Sequence, residues 1–188
     1  MRSRAISVAL VVVSTLAATR TDYLSVKRKF QSIETLQAKP GSRVAISSQE
    51  LNAYVETELP QVAPAGIRKP HVVLHGGNTA TGSALVDFVK LRSAKGQQTN
   101  WFMRKLLEGE REVKVTTRIE SANGTATVNV QRVEVGGIPI QGAALDFLIK
   151  NYLTPNYPEA KIGRPFGLHR SVDHIEVAKG VAYVILKR

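Results

Sequence analysis

Apolar and polar residues alternate most regularly over residues 112–119, where Val113, Val115, Thr117 and Ile119 interleave with Glu112, Lys114, Thr116 and Arg118. A period of two is that of a strand with one dry face and one wet face. Asn123 and Gly124 supply a hairpin turn. The return strand sets Ala126, Val128 and Val130 on one face and then shifts phase to Val133 and Val135. One extra residue near Gln131 and Arg132, a β-bulge, reconciles the two phases and bends the strand, so the pattern predicts a strongly curved sheet.

Other segments follow from the same kind of pattern. Residues 43–46 read as a short strand running into a helix, where Ser47 and Glu50 have capping-box spacing. Leu51, Tyr54, Val55 and Leu59 then make an apolar stripe that stops at Pro60. Residues 71–75 and 80–91 form a hairpin around Gly76, Gly77 and Asn78, with Leu85, Val89 and Leu91 opposite Ala84, Val86 and Phe88, so part of the second arm is expected to be covered on both sides. Residues 99–108 read as a short helix closed by Gly109. Gly136, Gly137, Ile138 and Pro139 lead into the most hydrophobic helix, 143–153, ended by Pro155. Its Leu145, Phe147, Leu148, Ile149, Tyr152 and Leu153 cover most of the circumference, so it is expected to be surrounded. Strands at 172–177 and 181–186 turn at Lys179 and Gly180 and complete the sheet. The expected fold is α+β, a strongly curved antiparallel sheet wrapped around one long apolar helix.

The N-terminus changes the picture of where this domain works. Residues 1–4 are short and basic, 5–18 are apolar, and small residues follow, which is the layout of a secretory signal. The apolar run is shorter than the ~20 residues of a spanning helix. Residues 1–20 are therefore expected to be a signal peptide or an N-terminal anchor, with a buried core helix as the remaining reading. Residues 21–40 read as a polar, basic leading helix or stalk, and 41–188 as a single domain, since 188 residues suffice for one good core and not for two. The expected location is the periplasm, free or tethered to the inner membrane.

The formal charge of +11 includes Arg2 and Arg4, so the remainder still carries +9 and favours a polyanionic partner. Export makes that partner an anionic membrane surface rather than nucleic acid. The absence of cysteine removes disulfides, thiol chemistry and lipoprotein acylation.

Motifs for chemistry are sparse. His71 and His75 share a strand face but lack a third ligand, so no metal is expected. His169, Ser171, Asp173 and His174 lie close together without the strand-to-helix turn that raises a nucleophilic serine. Neither glycine pair has the spacing or trailing lysine of a phosphate loop. No catalytic residue and no cofactor are assigned.

Three segments together resemble a bacterial family of exported phospholipid-binding proteins related to the tubular lipid-binding (TULIP-like) superfamily. They are S-S-Q-E-L-N-A-Y at 47–54, V-G-G-I-P-I-Q-G-A-A-L-D-F-L at 135–148 and P-F-G-L at 165–168, and the likeness spans about residues 41–187. It implies a long helix cradled by a curled sheet with acyl chains lodged between them, and a phospholipid or other acyl lipid as the partner. The walls of such a groove are assigned to Leu51, Val55, Phe88, Trp101, Phe102, Leu145, Leu148, Ile149 and Leu153, and the head-group contacts to Arg104 and Lys105. This chain departs from the family pattern in being one short module without a lipoprotein cysteine. The alternative is a non-enzymatic structural or interaction module of the cell envelope with a filled core.

Overall fold

The structure is a computed structural model describing residues 4–91, 105, 107–156 and 162–188, with side chains described from residue 19. Helix α1 (Arg4–Glu34) passes without a break across the expected boundary at residue 20. Strand β1 (Arg43–Ser47) runs into α2 (Ser48–Val62). The capping box is present in both directions, Ser47 accepting from the Glu50 N–H and Glu50 accepting from the Ser47 N–H. Helix α2 does not stop at Pro60 but continues to Val62. Pro60 and Glu56 are both exposed, so the Glu56 carbonyl that a proline leaves without an N–H partner is accessible to solvent rather than buried unpaired.

Strands β2 (Ile67–Gly76) and β3 (Thr79–Asp87) pair through a tight turn at Gly77 and Asn78, both with positive φ. The second arm ends at Asp87, short of the expected Leu91. Asp87 Oδ1 accepts from the N–H groups of Val89 (3.1 Å) and Lys90 (3.2 Å), which turns the chain into a single helical turn, α3 (Phe88–Leu91). Val89 consequently faces water at 68% exposure instead of lying in a covered strand.

Strands β4 (Glu110–Ala122) and β5 (Thr125–Val135) form the longest hairpin, turned at Asn123 and Gly124. Thr116 pairs with Arg132 and Thr117 with Val130, so Gln131 is the extra residue of a bulge. Gly136 and Gly137, again with positive φ, turn the chain into a strand the sequence did not announce, β6 (Ile138–Ile140), antiparallel to β5. Pro139 is tolerated there because β6 is an edge.

Helix α4 (Gly142–Leu148) continues as a π-helical segment (Ile149–Leu153) and a last turn α5 (Thr154–Asn156), past the expected stop at Pro155. It is not surrounded: of its large apolar side chains only Leu148 is buried, while Leu145, Phe147, Ile149, Tyr152 and Leu153 are half-buried. Among the described residues no long apolar helix wrapped by one strongly curled sheet is seen. The observed class is α+β with two antiparallel sheets.

Strands β2-β3-β4-β5-β6 make the larger sheet in that order, with β7 (Phe166–Gly167) paired to the start of β5. Strands β8 (Val172–Ala178) and β9 (Val181–Leu186) do not complete it but form a second sheet, ordered β1-β9-β8. The free edge of β8 is stitched to the hairpin tips of the larger sheet. The Asn78 N–H donates to the Val177 carbonyl (3.0 Å), and the Val177 N–H donates to Asn78 Oδ1 (2.8 Å). Ser121 Oγ bonds both the carbonyl (2.9 Å) and the N–H (2.8 Å) of Ile175.

The hydrophobic interior is divided. One cluster joins α1 to the smaller sheet through Val26, Ile33, Ile46, Val172, Val184 and Leu186. At the same joint buried Glu50 accepts from Ser25 Oγ (2.6 Å), from Lys29 Nζ (2.6 and 2.8 Å) and from the Ser47 N–H (2.9 Å). A small cluster of Leu74, Ala80 and Val177 lies between the two sheets. The third, centred on Val86, Phe88, Val135 and Leu148, lies between the larger sheet and α4.

Candidate functional site

The register of β4 and β5 decides what faces α4. Val113 pairs with Val135, Val115 with Val133, Thr117 with Val130 and Ile119 with Val128. Without Gln131 as an unpaired residue, half of these β5 valines would point to the opposite face, because a one-residue slip inverts a strand. With it, aliphatic side chains from both strands line one face.

Between that face and the helix lies a cavity of about 370 Å³. Its floor is Val113, Val115, Val128, Val130, Val133 and Val135, and its roof is Leu145, Leu148, Ile149, Tyr152 and Leu153. Ile67, Val86, Phe88 and Leu91 wall one end, and Ile162 stands at the other with Thr117. Only the Thr117 and Tyr152 hydroxyls among these side chains are polar, and Thr117 Oγ1 is directed to the Ala80 carbonyl (3.5 Å). Such a wall offers water almost no partners.

The π-helical segment belongs to the same site. A π-turn widens the helix and re-aims its side chains, and here Ile149, Tyr152 and Leu153 all reach the cavity. Tyr152 stands edge-on to Phe88 at the walled end, with ring centroids 5.1 Å apart.

Of the wall residues assigned from sequence, Phe88, Leu145, Leu148, Ile149 and Leu153 come together on this cavity. Leu51 and Val55 do not. They sit on α2, where Leu51 packs into the two clusters bordering the smaller sheet, because α2 covers the edge of β2 rather than the sheet face. Asn52 shows how, bonding both the N–H (2.7 Å) and the carbonyl (2.9 Å) of Val72. Trp101, Phe102 and Arg104 lie outside the described residues. Lys105 is exposed, and its carbonyl accepts from Arg111 near the start of β4, beside the walled end. The wall valines of β4 and β5 were missed as site residues, although their shared face and the phase shift at Gln131 were both readable.

The remaining polar clusters have local roles. Ser171 Oγ donates to the Ile33 carbonyl (3.1 Å) and lies 2.7 Å from His169 Nδ1, so it ties the end of α1 to the smaller sheet. His174 lies between Asp173 (2.6 Å) and Glu176 (3.4 Å), and the Asp173 hydrogen bond raises its pKa against a weaker effect of burial. His75 Nε2 is 2.8 Å from Thr81 Oγ1. Among the described residues no group of three His, Asp or Glu is arranged to hold a metal ion. Among them also no helix is long and apolar enough to cross a membrane.

No protein-family model, no curated protein and no solved structure matches the chain.

Proposed function

We propose that this protein binds an acyl lipid in the cavity between the larger sheet and α4, acting by sequestration without covalent chemistry. The observation that carries the reading is the cavity itself, about 370 Å³ with an almost wholly aliphatic wall. This lies in the ~300–1,000 Å³ range of ligand pockets. The cavity opens to solvent, so its aliphatic wall is wetted when unoccupied. A hydrocarbon ligand takes that wall out of water, and each buried methylene contributes about 0.8 kcal/mol.

In this reading the domain is a short relative of the tubular lipid-binding type, with the sheet face and the α4 segment as the two sides of an acyl-chain site. The chain is exported and works at the cell envelope, where its surplus of positive charge meets anionic lipid.

Organic extraction and native mass spectrometry of protein purified from a bacterial host should reveal bound lipid. Leu148→Trp, which places a larger side chain in the roof, should abolish that lipid while the thermal midpoint stays near that of the parent. If the parent carries no lipid and Leu148→Trp instead lowers stability by about 1–3 kcal/mol, as overpacking of a filled core does, the domain is a structural module.

A further inference from the structure

Resting on the reading that the chain meets anionic lipid at the envelope, we infer that it docks on an anionic bilayer through one edge of the smaller sheet. Leu36 is the apolar wedge of that edge, set among Lys39, Arg170, Lys187 and Arg188. Three segments far apart in sequence build it. The Ile33 carbonyl accepts from both the Leu36 N–H (3.3 Å) and the Ser171 hydroxyl (3.1 Å), which brings Arg170, the neighbour of Ser171, beside the end of α1. The Gly41 N–H donates to the Lys187 carbonyl (2.8 Å), and the Lys187 N–H donates to the Ser171 carbonyl (2.9 Å). The stem of Arg188 crosses Gly41, where a Cβ would lie 3.3 Å from its Cγ.

Leu36 breaks a local rule at this edge. Helix α1 ends with the Gln37 N–H donating to the Ser32 carbonyl (2.9 Å) and the Leu36 N–H donating to that of Ile33, the pair of bonds of a Schellman motif. Leu36 therefore holds the left-handed position, at φ 59°, which glycine takes at least cost. At the β2–β3 and β4–β5 turns the chain meets the same demand with Gly77, Asn78, Asn123 and Gly124. Packing does not offset the strain of a leucine here, since the side chain is 49% exposed and joins none of the three hydrophobic clusters.

The cations beside it are uncommitted. Lys39, Arg170, Lys187 and Arg188 are all exposed and, among the described residues, have no side-chain carboxylate partner. Arg43, by contrast, is held by Glu176 (2.6 Å) and lies over the Tyr183 ring. The acidic side chains of these segments are Glu34 and Asp173, and Asp173 is bonded to His174 (2.6 Å). Cations around one exposed leucine select among polyanions. A nucleic-acid backbone satisfies the cations and leaves Leu36 in water. The head-group layer of an anionic bilayer offers phosphates to the lysines and arginines and an acyl boundary just beneath them to Leu36.

The test is sedimentation of the full chain with vesicles of phosphatidylglycerol or of phosphatidylcholine. The apolar residues 5–18 contribute alike to both lipids, so the edge is read as the excess binding to phosphatidylglycerol. That excess should fall about fivefold for each of Arg170→Gln and Lys39→Gln, and vanish near 1 M salt, where the screening length is ~3 Å. Leu36→Gly keeps the left-handed backbone and relieves its strain. It should weaken binding about three- to tenfold with a thermal midpoint at or above that of the parent. Leu36→Trp should retain binding, and phosphatidylglycerol should shift its emission to the blue further than that of the parent.

An excess that Arg170→Gln and Lys39→Gln together leave in place would overturn this edge. So would a Leu36→Gly protein that binds as the parent does, or one whose midpoint falls along with its binding. No preference for phosphatidylglycerol in the parent would remove both the docking edge and the charge argument for the envelope. The cavity is decided separately, by the acyl lipid that purified protein does or does not carry.

Discussion

Glu50 shows how one side chain acquires several duties. Burial alone would raise its pKa. Hydrogen bonds from Lys29, Ser25 and the Ser47 N–H outweigh that and hold it at about 2. Because the folded pKa lies below the unfolded value of ~4.3, the stabilisation is complete above that unfolded value and is lost as pH falls from there through about 2. Glu50→Gln should cost about 2–3 kcal/mol at neutral pH and flatten the acid limb of stability, measured as the urea midpoint across that range. An unchanged acid limb would show that other carboxylates dominate it. Half of this arrangement was readable: the spacing of Ser47 and Glu50 announces the capping box, whereas Ser25 and Lys29 come from a helix whose docking no local pattern encodes.

Elements whose cause is local were the legible ones. The β4–β5 hairpin, its Asn-Gly turn and the Gln131 bulge follow from alternation, and the structure has each of them. Misreadings arose where a neighbour overrode the pattern. Asp87 turned an expected strand into α3. The apolar girth of 143–153 was taken to need enclosure by side chains, whereas part of that girth faces a void. Helix α2 was taken for a groove wall because an apolar stripe does not say which surface it covers. Its place over the edge of β2 depends on Asn52, a residue the stripe ignores. Asn52→Ala leaves the N–H and carbonyl of Val72 without their partner and should cost about 1–3 kcal/mol. Hydrogen exchange would show the loss as weakened protection at Val72 more than at the centre of the sheet.

At the level of the molecule, two sheets are held together by side-chain and turn contacts rather than by a shared ladder. Asn78 is the main stitch: its carbonyl also accepts from the Ile119 N–H (2.8 Å), and it sits at φ 60°. Asn78→Gly keeps the left-handed backbone and the N–H bond to the Val177 carbonyl and removes only the Oδ1 bond from the Val177 N–H, so it should cost about 1–2 kcal/mol. Asn78→Ala adds roughly 1–2 kcal/mol of backbone strain. Thermal midpoints of the pair separate the two effects, and equal midpoints would mean that the turn relaxes freely. The packed interior around Val26 and Ile46 lies apart from the aliphatic cavity, so the half of the molecule that does not face the cavity has its own core.

The extra residue in β5 has an evolutionary consequence. Exchange of one aliphatic side chain for another along 128–135 preserves a greasy lining, but gain or loss of a single codon between Val130 and Val133 would turn half of that lining outward. Heredity can therefore vary the spelling of this wall freely and its letter count hardly at all, so descendants that abandon the ligand should betray it by an altered length there before any altered composition.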